Sequence, residues 1–283
     1  MGFILSSLFL TGAHCQDYKK SEMFNSIKKA LKKPNQAKVF AIVKFNQTEI
    51  SKEIGQLKSL EVLVLNRCKV SFLPKEIGAL VNLKVFSAEK NRLTHLPPEF
   101  GQLKKLDELW IVENQLVELP KEFFGLSKLR DLNLGANRLT SLPADIGKLQ
   151  SLEYLSLDVN RITKLPKEIG KLHKLYGLYL VDNRLIQIPK EIRTLKRLEN
   201  LSLGYNQLKS LPKEIGELSN LERLYLNNNR LSELPVQIGN LYKVRQLNLA
   251  HNQLKSIPKE IAQMKSLQLL DLRGNPIPKK DRK

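Results

Sequence analysis

The chain has 283 residues, long enough for one large or two ordinary domains, and 42% of them are apolar while 27% are charged. That balance provides a sizeable core and excludes a disordered chain, and two cysteines, Cys15 and Cys68, exclude a disulfide scaffold. The net charge of +19 attracts polyanions without choosing among nucleic acid, acidic lipid headgroups and anionic glycans.

The first element in chain order, residues 1–15, reads as a secretory signal peptide. An apolar run from Phe3 to Leu10 is followed by Thr11 and Ala13, small residues suited to a cut after Ala13. No Lys or Arg precedes the run, so an uncleaved cytoplasmic start is the alternative. Cys15 raises lipidation, but His14 stands where a lipobox needs a small residue. No later stretch has 18 apolar residues in a row, and no membrane-spanning helix is expected.

Residues 16–56 read as a capping helix plus a degenerate first repeat. Met23, Phe24, Ile27 and Leu31 share one face of a helix that lysines flank and Pro34 stops. KVFAIVKF then places Phe40 and Ile42 in strand phase, and ISKEIG imitates an LPKEIG that returns throughout the chain.

From Leu57 to the end the chain is ten units of 23 residues, beginning at Leu57, Leu80, Leu103, Leu126, Leu149, Leu172, Leu195, Leu218, Leu241 and Met264, with a short basic tail. The frame is L-x-x-L-x-x-L-x-L-x-x-N-x-L-x-x-L-P-x-x-I-G-x. A fixed period of this size signals a solenoid. The L-x-L pair alternates as a short strand must, and neighbouring units stack these strands into a parallel sheet. Asn at the twelfth position can satisfy backbone groups buried in the turn. Leu-Pro bends the return segment, and Gly at the twenty-second position suits a tight turn. Cys68 replaces the first Asn, where a buried thiol is a structural stand-in. The expected fold is therefore α/β: a curved horseshoe with the parallel sheet on the concave face and short helical or extended segments on the convex face. No helix is predicted after the tenth strand, so the chain is a monomer or a weak end-to-end dimer.

These units, preceded by a short helix and a VFAIVKF strand, resemble the 23-residue leucine-rich-repeat proteins of Leptospira. They are similar, more loosely, to the Ras-group and plant intracellular repeat proteins. The resemblance implies a non-catalytic binding protein, exported or surface-exposed, that contacts host molecules. It brings no catalytic motif, so no residue inherits a chemical role.

Strand phase puts the sixth, eighth and tenth positions on the concave face and the eleventh at its rim. Those forty positions hold seven acids and four bases, so the positive charge lies elsewhere. It collects on two rims, at the second and third positions and at the thirteenth. The concave positions carry Trp110, Tyr154, Tyr179, Tyr205 and Tyr225, with Asp131, Asp158 and Asp182 as charge partners. Trp and Tyr combine large area with a polar tip, which favours them as protein-interface anchors. Same-face packing is the plainer account of such a row. The rim residues Lys104, Lys105, Lys174, Lys196 and Arg197 could hold an anionic glycan or lipid headgroup, or could simply keep the array soluble. The concave face offers no basic groove for a nucleic acid backbone.

His95, His173 and His251 occupy three different frame positions and cannot converge, and no metal-ligand spacing, phosphate loop or nucleophile elbow occurs. The reading is a protein-binding module with no cofactor, metal or enzymatic activity. A glycan adhesin working through the rims and a cytoplasmic scaffold are the alternatives.

Overall fold

The computed structural model describes residues 23–43 and 48–278. The expected signal peptide, Cys15 and the last residues of the basic tail lie outside the described residues. The chain divides into two compact units between Leu129 and Arg130.

In unit 1, strands β1 (Met23–Phe24), β2 (Val39–Val43), β3 (Val62–Asn66), β4 (Val85–Ser87) and β5 (Glu108–Trp110) lie parallel in chain order. In unit 2 the same holds for β6 (Asp131–Asn133), β7 (Tyr154–Ser156), β8 (Gly177–Tyr179), β9 (Asn200–Ser202), β10 (Arg223–Tyr225), β11 (Gln246–Asn248) and β12 (Leu269–Asp271). Like pairs with like: Leu155 sits beside Leu178, and Leu201 beside Leu224. A shift of one residue would turn every leucine outward, so the repeat holds its own register.

The return segments are five-residue 3-10 turns, such as Lys167–Lys171, which follows the frame proline Pro166, while the first, Lys52–Gln56, follows Ser51. Pro166 sits at φ −70°, ψ 150°, extended backbone that delivers the chain into the turn and buries Ile169. Leu155, Leu157 and Ile169 are fully buried, each contributing about 1.5–3 kcal/mol of burial free energy. Unit 1 differs in its core. Phe86, Phe100, Phe123 and Phe124 form a ring-to-ring series with centroids 5.4, 6.4 and 5.5 Å apart.

Asparagines form the expected ladder. Asn160 accepts a hydrogen bond from Leu139 N at 3.0 Å and donates to Leu134 O at 3.0 Å, both one repeat back. Asn183, Asn206, Asn229 and Asn252 repeat the pattern. Cys68, 2% exposed, donates its thiol to Ile42 O at 3.4 Å, one repeat back as the Asn amide does. It takes over the donor half of the asparagine's work.

One local expectation is corrected. Met23 and Phe24 do not join a helix: they form β1, paired with Val39 and Phe40, and the helix α1 is only Ile27–Ala30. An added strand satisfies backbone groups along the β2 edge that a helix would leave open. The frame glycine sits inside the 3-10 turn, as Gly170 does in Lys167–Lys171, and has a second role there. It lets adjacent 3-10 turns approach, since a Cβ on Gly170 would lie 2.6 Å from Glu191 O in the next repeat. The eleventh position has a backbone of its own. It is left-handed in all ten repeats, at φ 53° to 72°, and only Gly274 among them is glycine. There the N–H still donates to the next repeat, as from Val159 to Val181 O at 2.7 Å, while the chain turns to aim the asparagine inward.

Valine is a poor left-handed residue because its branched Cβ crowds the backbone. Val159, at φ 55° and exposed, is therefore strained. Val159→Asn is expected to raise the urea midpoint, stabilising the protein by about 1 kcal/mol. No gain in midpoint would show that the strain is absent.

Candidate ligand-binding face

The two units present chemically different sheet faces. In unit 2 the sixth positions run Asp131, Tyr154, Gly177, Asn200, Arg223 and Gln246 across β6 to β11, and the eighth run Asn133, Ser156, Tyr179, Ser202, Tyr225 and Asn248. All stand opposite the buried leucines, as strand alternation requires.

Gly177 shapes the centre of this face. A Cβ there would fall 2.7 Å from Tyr179 Cε2 and 3.0 Å from Tyr154 Cδ1, so both rings lean over β8 in space that the glycine leaves. Tyr154 also meets Tyr176 edge-on, with centroids 5.2 Å apart. Burial, with the neighbouring tyrosines second, pushes the Tyr154 and Tyr179 hydroxyls up to about 12, so both remain neutral donors. Tyr154 is nonetheless 38% exposed. The Tyr225 hydroxyl donates to Gln246 Oε1 at 2.5 Å, and Arg223 donates to Asn200 Oδ1 at 2.5 Å. These bonds hold both side chains against the sheet.

Asp158, at the tenth position, is largely buried. Burial pushes its carboxyl up to about 6, against the downward pull of the Val181 N–H donating to Oδ1 at 2.7 Å. Asp131 stands beside Tyr154 on β6. Asp182 and Tyr205 occupy left-handed eleventh positions beyond the strand ends, where Tyr205 is 55% exposed.

A cavity of about 360 Å³ opens where this face meets the rim, lined by Glu153, Tyr154, Lys174, Tyr176, Arg197, Glu199 and Asn220. It brings together one ring from the tyrosine row and two of the rim cations, Lys174 and Arg197. Two carboxylates oppose those cations. Tyr176 was invisible to strand phase because it precedes β8; an aromatic at the fifth position, one repeat after Tyr154, is the signal that points to it.

The remaining expected residues are placed differently. Trp110, on β5 of unit 1, is 8% exposed and packs with Val39, Val62, Val64 and Val85, away from solvent. Lys104 donates to Gly125 O at 3.0 Å, Lys105 to Asn82 Oδ1 at 2.7 Å, and Lys196 to Glu217 O at 2.9 Å. These three rim lysines tie neighbouring repeats together. Among the described residues, no group of three or more His, Cys, Asp or Glu is placed to hold a metal ion, and no helix is long and apolar enough to cross a membrane.

Sequence families described as leucine-rich repeats match residues 81–139 and 219–277, and one described as a leucine-rich repeat region matches 119–208. A solved leucine-rich repeat protein of Leptospira interrogans is 42% identical, with a TM-score of 0.81, covering 89% of this chain and 70% of that one. The chain belongs to the leucine-rich repeat family. This leucine-rich repeat protein is also similar to the plant peptide hormone receptor RGFR1, solved in complex with RGF2 (27% identity, TM-score 0.75, 85% of this chain and 41% of that one). It is similar again to a chain of the Drosophila Toll–Spatzle complex (25% identity, TM-score 0.76, 86% and 35%). No curated protein matches. The repeats, their parallel strands and the likeness to Leptospira are thus common to sequence and structure, and proteins of this family are typically non-enzymatic interaction modules.

Proposed function

We propose that the sheet face of unit 2 binds a protein or peptide ligand outside the cell. The observation that carries this reading is the pair of tyrosine rings converging over Gly177 beside a cavity open to solvent. Tyr154, Tyr179 and Tyr225 are the anchors, with Tyr205 extending the contact. Asp131, Asp158 and Asp182 pair with ligand cations. Rigid aromatic groups recessed beside a mixed-charge rim are where binding energy concentrates in protein interfaces. The receptors similar to this chain take peptide or protein ligands. Export follows from the signal-peptide reading of residues 1–15.

A peptide selected from a displayed random library on the wild-type chain tests the assignment. The Tyr154→Ala, Tyr179→Ala, Tyr225→Ala triple variant is expected to bind it more than about 100-fold more weakly, at unchanged circular dichroism. Gly177→Val, which displaces the rings without removing them, is expected to act in the same direction. Retained binding in both variants, with loss only on charge reversal at Lys104, Lys105, Lys174, Lys196 and Arg197 and a parallel loss of heparin retention, would transfer the function to the rims and an anionic glycan or lipid headgroup.

A further inference from the structure

The fifth residue of each repeat, just before its strand, belongs to a charged row. In unit 1 the row alternates in sign and pairs: Glu61 takes Lys38 at 2.9 Å and Lys84 at 2.5 Å. In unit 2 it reads Arg130, Glu153, Tyr176, Glu199, Glu222 and Arg245. Each N–H donates to the carbonyl of the member one repeat back, at 2.8–3.0 Å, so these residues are direct neighbours. Arg130 approaches Glu153 at 4.0 Å and Arg245 approaches Glu222 at 3.9 Å. The alternation breaks between them: Tyr176 holds a ring where a cation is due. Among the described residues Glu199 has no ion-pair partner, and Glu222 beside it carries the same charge, which disfavours both.

Tyr176 is half-buried and lines the 360 Å³ cavity together with Glu153 and Glu199. Tyr154 meets it edge-on at 5.2 Å and fixes the ring. Lys174 and Arg197, two residues ahead of Tyr176 and Glu199, line the same cavity; both are exposed, and neither makes an ion pair among the described residues. Opposite charges thus share one cavity without closing on each other. We propose that this cavity takes a basic side chain of the ligand together with a carboxylate beside it. The guanidinium or ammonium lies against the Tyr176 ring between Glu153 and Glu199, and restores the cation that the row lacks. The carboxylate turns outward to Lys174 and Arg197. Two residues span at most about 7 Å of chain, so the two charges of the ligand must stand no farther apart than that. Lys174 and Arg197 disfavour a ligand that brings the cation without the anion. This inference rests on the reading of the unit 2 face as a peptide-binding surface, and adds to it the chemistry of one ligand residue.

N-acetyl-arginine, which carries both charges, is the probe. Calorimetric titration of the full chain is expected to show binding at about millimolar concentration, about tenfold weaker for the amide that lacks the carboxylate, and none for N-acetyl-citrulline, which lacks the cation. Tyr176→Phe keeps the ring and should bind as the wild type does. Tyr176→Lys supplies the cation of the row from within and should lose the probe at unchanged circular dichroism. Glu153→Gln with Glu199→Gln should weaken binding by more than about tenfold. A wild type that does not bind acetylarginine, or lysine and glutamine variants that bind it equally well, would overturn the proposal. So would an amide bound as tightly as the acid. The two readings fail separately. If the selected peptide needs Tyr179 and Tyr225 while acetylarginine does not bind, the tyrosine face stands and this site falls. If acetylarginine binds as described while the peptide ignores those tyrosines, this site stands and the face falls.

Discussion

Asn160→Leu is expected to destabilise unit 2 by about 4 kcal/mol, the largest effect of any single substitution considered. The side chain is similar in size, so the loss comes from hydrogen bonding. Asn160 accepts from Leu139 N at 3.0 Å and donates to Leu134 O at 3.0 Å, Leu157 O at 3.0 Å and Asp158 O at 3.2 Å. All sit in the dry interior of the turn, where each orphaned group costs about 1–3 kcal/mol and water cannot substitute. Because repeats are held chiefly by their neighbours, the damage should spread to adjoining repeats and broaden the urea transition. Asn160→Cys is the informative control. At the equivalent position Cys68 keeps the donor bond to the preceding repeat, so a thiol at 160 should cost about half as much. A leucine variant within about 1 kcal/mol of wild type in urea denaturation would show that the ladder is decoration.

Asp158→Asn is expected to stabilise the protein at pH 7.5 and to do nothing at pH 4. The carboxyl titrates at about 6 in the folded chain, because burial disfavours its charge, against about 3.9 when unfolded. The folded state therefore holds the proton more tightly. This raised value contributes stability below pH 4 that is lost as pH rises through 6. The two-unit difference corresponds to about 3 kcal/mol at most. Asparagine is neutral throughout, and its oxygen can still accept from Val181 N, which now donates to Asp158 at 2.7 Å. Urea midpoints at the two pH values check this; an equal effect of the substitution at both would remove titration as the cause. The same group gives ligand binding a sign. A cationic ligand group set against Asp158 draws it to the charged form, so affinity should rise with pH through 6 and lose that dependence in the asparagine variant.

Much of the site is legible in residues alone. A 23-residue period with leucines two apart can bury its apolar side in only one phase, so Tyr154, Tyr179 and Tyr225 had to stand opposite the core. What phase cannot express is how neighbouring repeats share space. Tyr154 and Tyr179 converge because residue 177, directly beside Tyr154 and two residues before Tyr179 on β8, has no side chain. Tyr176 reaches the cavity from outside the strand, and Asp182 and Tyr205 stand at the rim, where the backbone turns left-handed. Trp110 shares the phase of Tyr179, yet its neighbours are valines and it is packed away. The spacing of Met23 and Phe24 with Ile27 and Leu31 reads as a helix face, and only pairing with β2 in the folded chain makes the first two a strand.

Identity, period and the direction of each side chain are local properties, set by the alternation of a strand and the geometry of proline and asparagine. They are complete in the chain before it folds. Exposure, ring contacts, the titration of Asp158 and the division at Leu129 arise between residues about one repeat apart, where the space left by one side chain is filled by another. Such packing is a property of assembled neighbours, so the folded units were needed to show which aromatic residues remain open to a ligand.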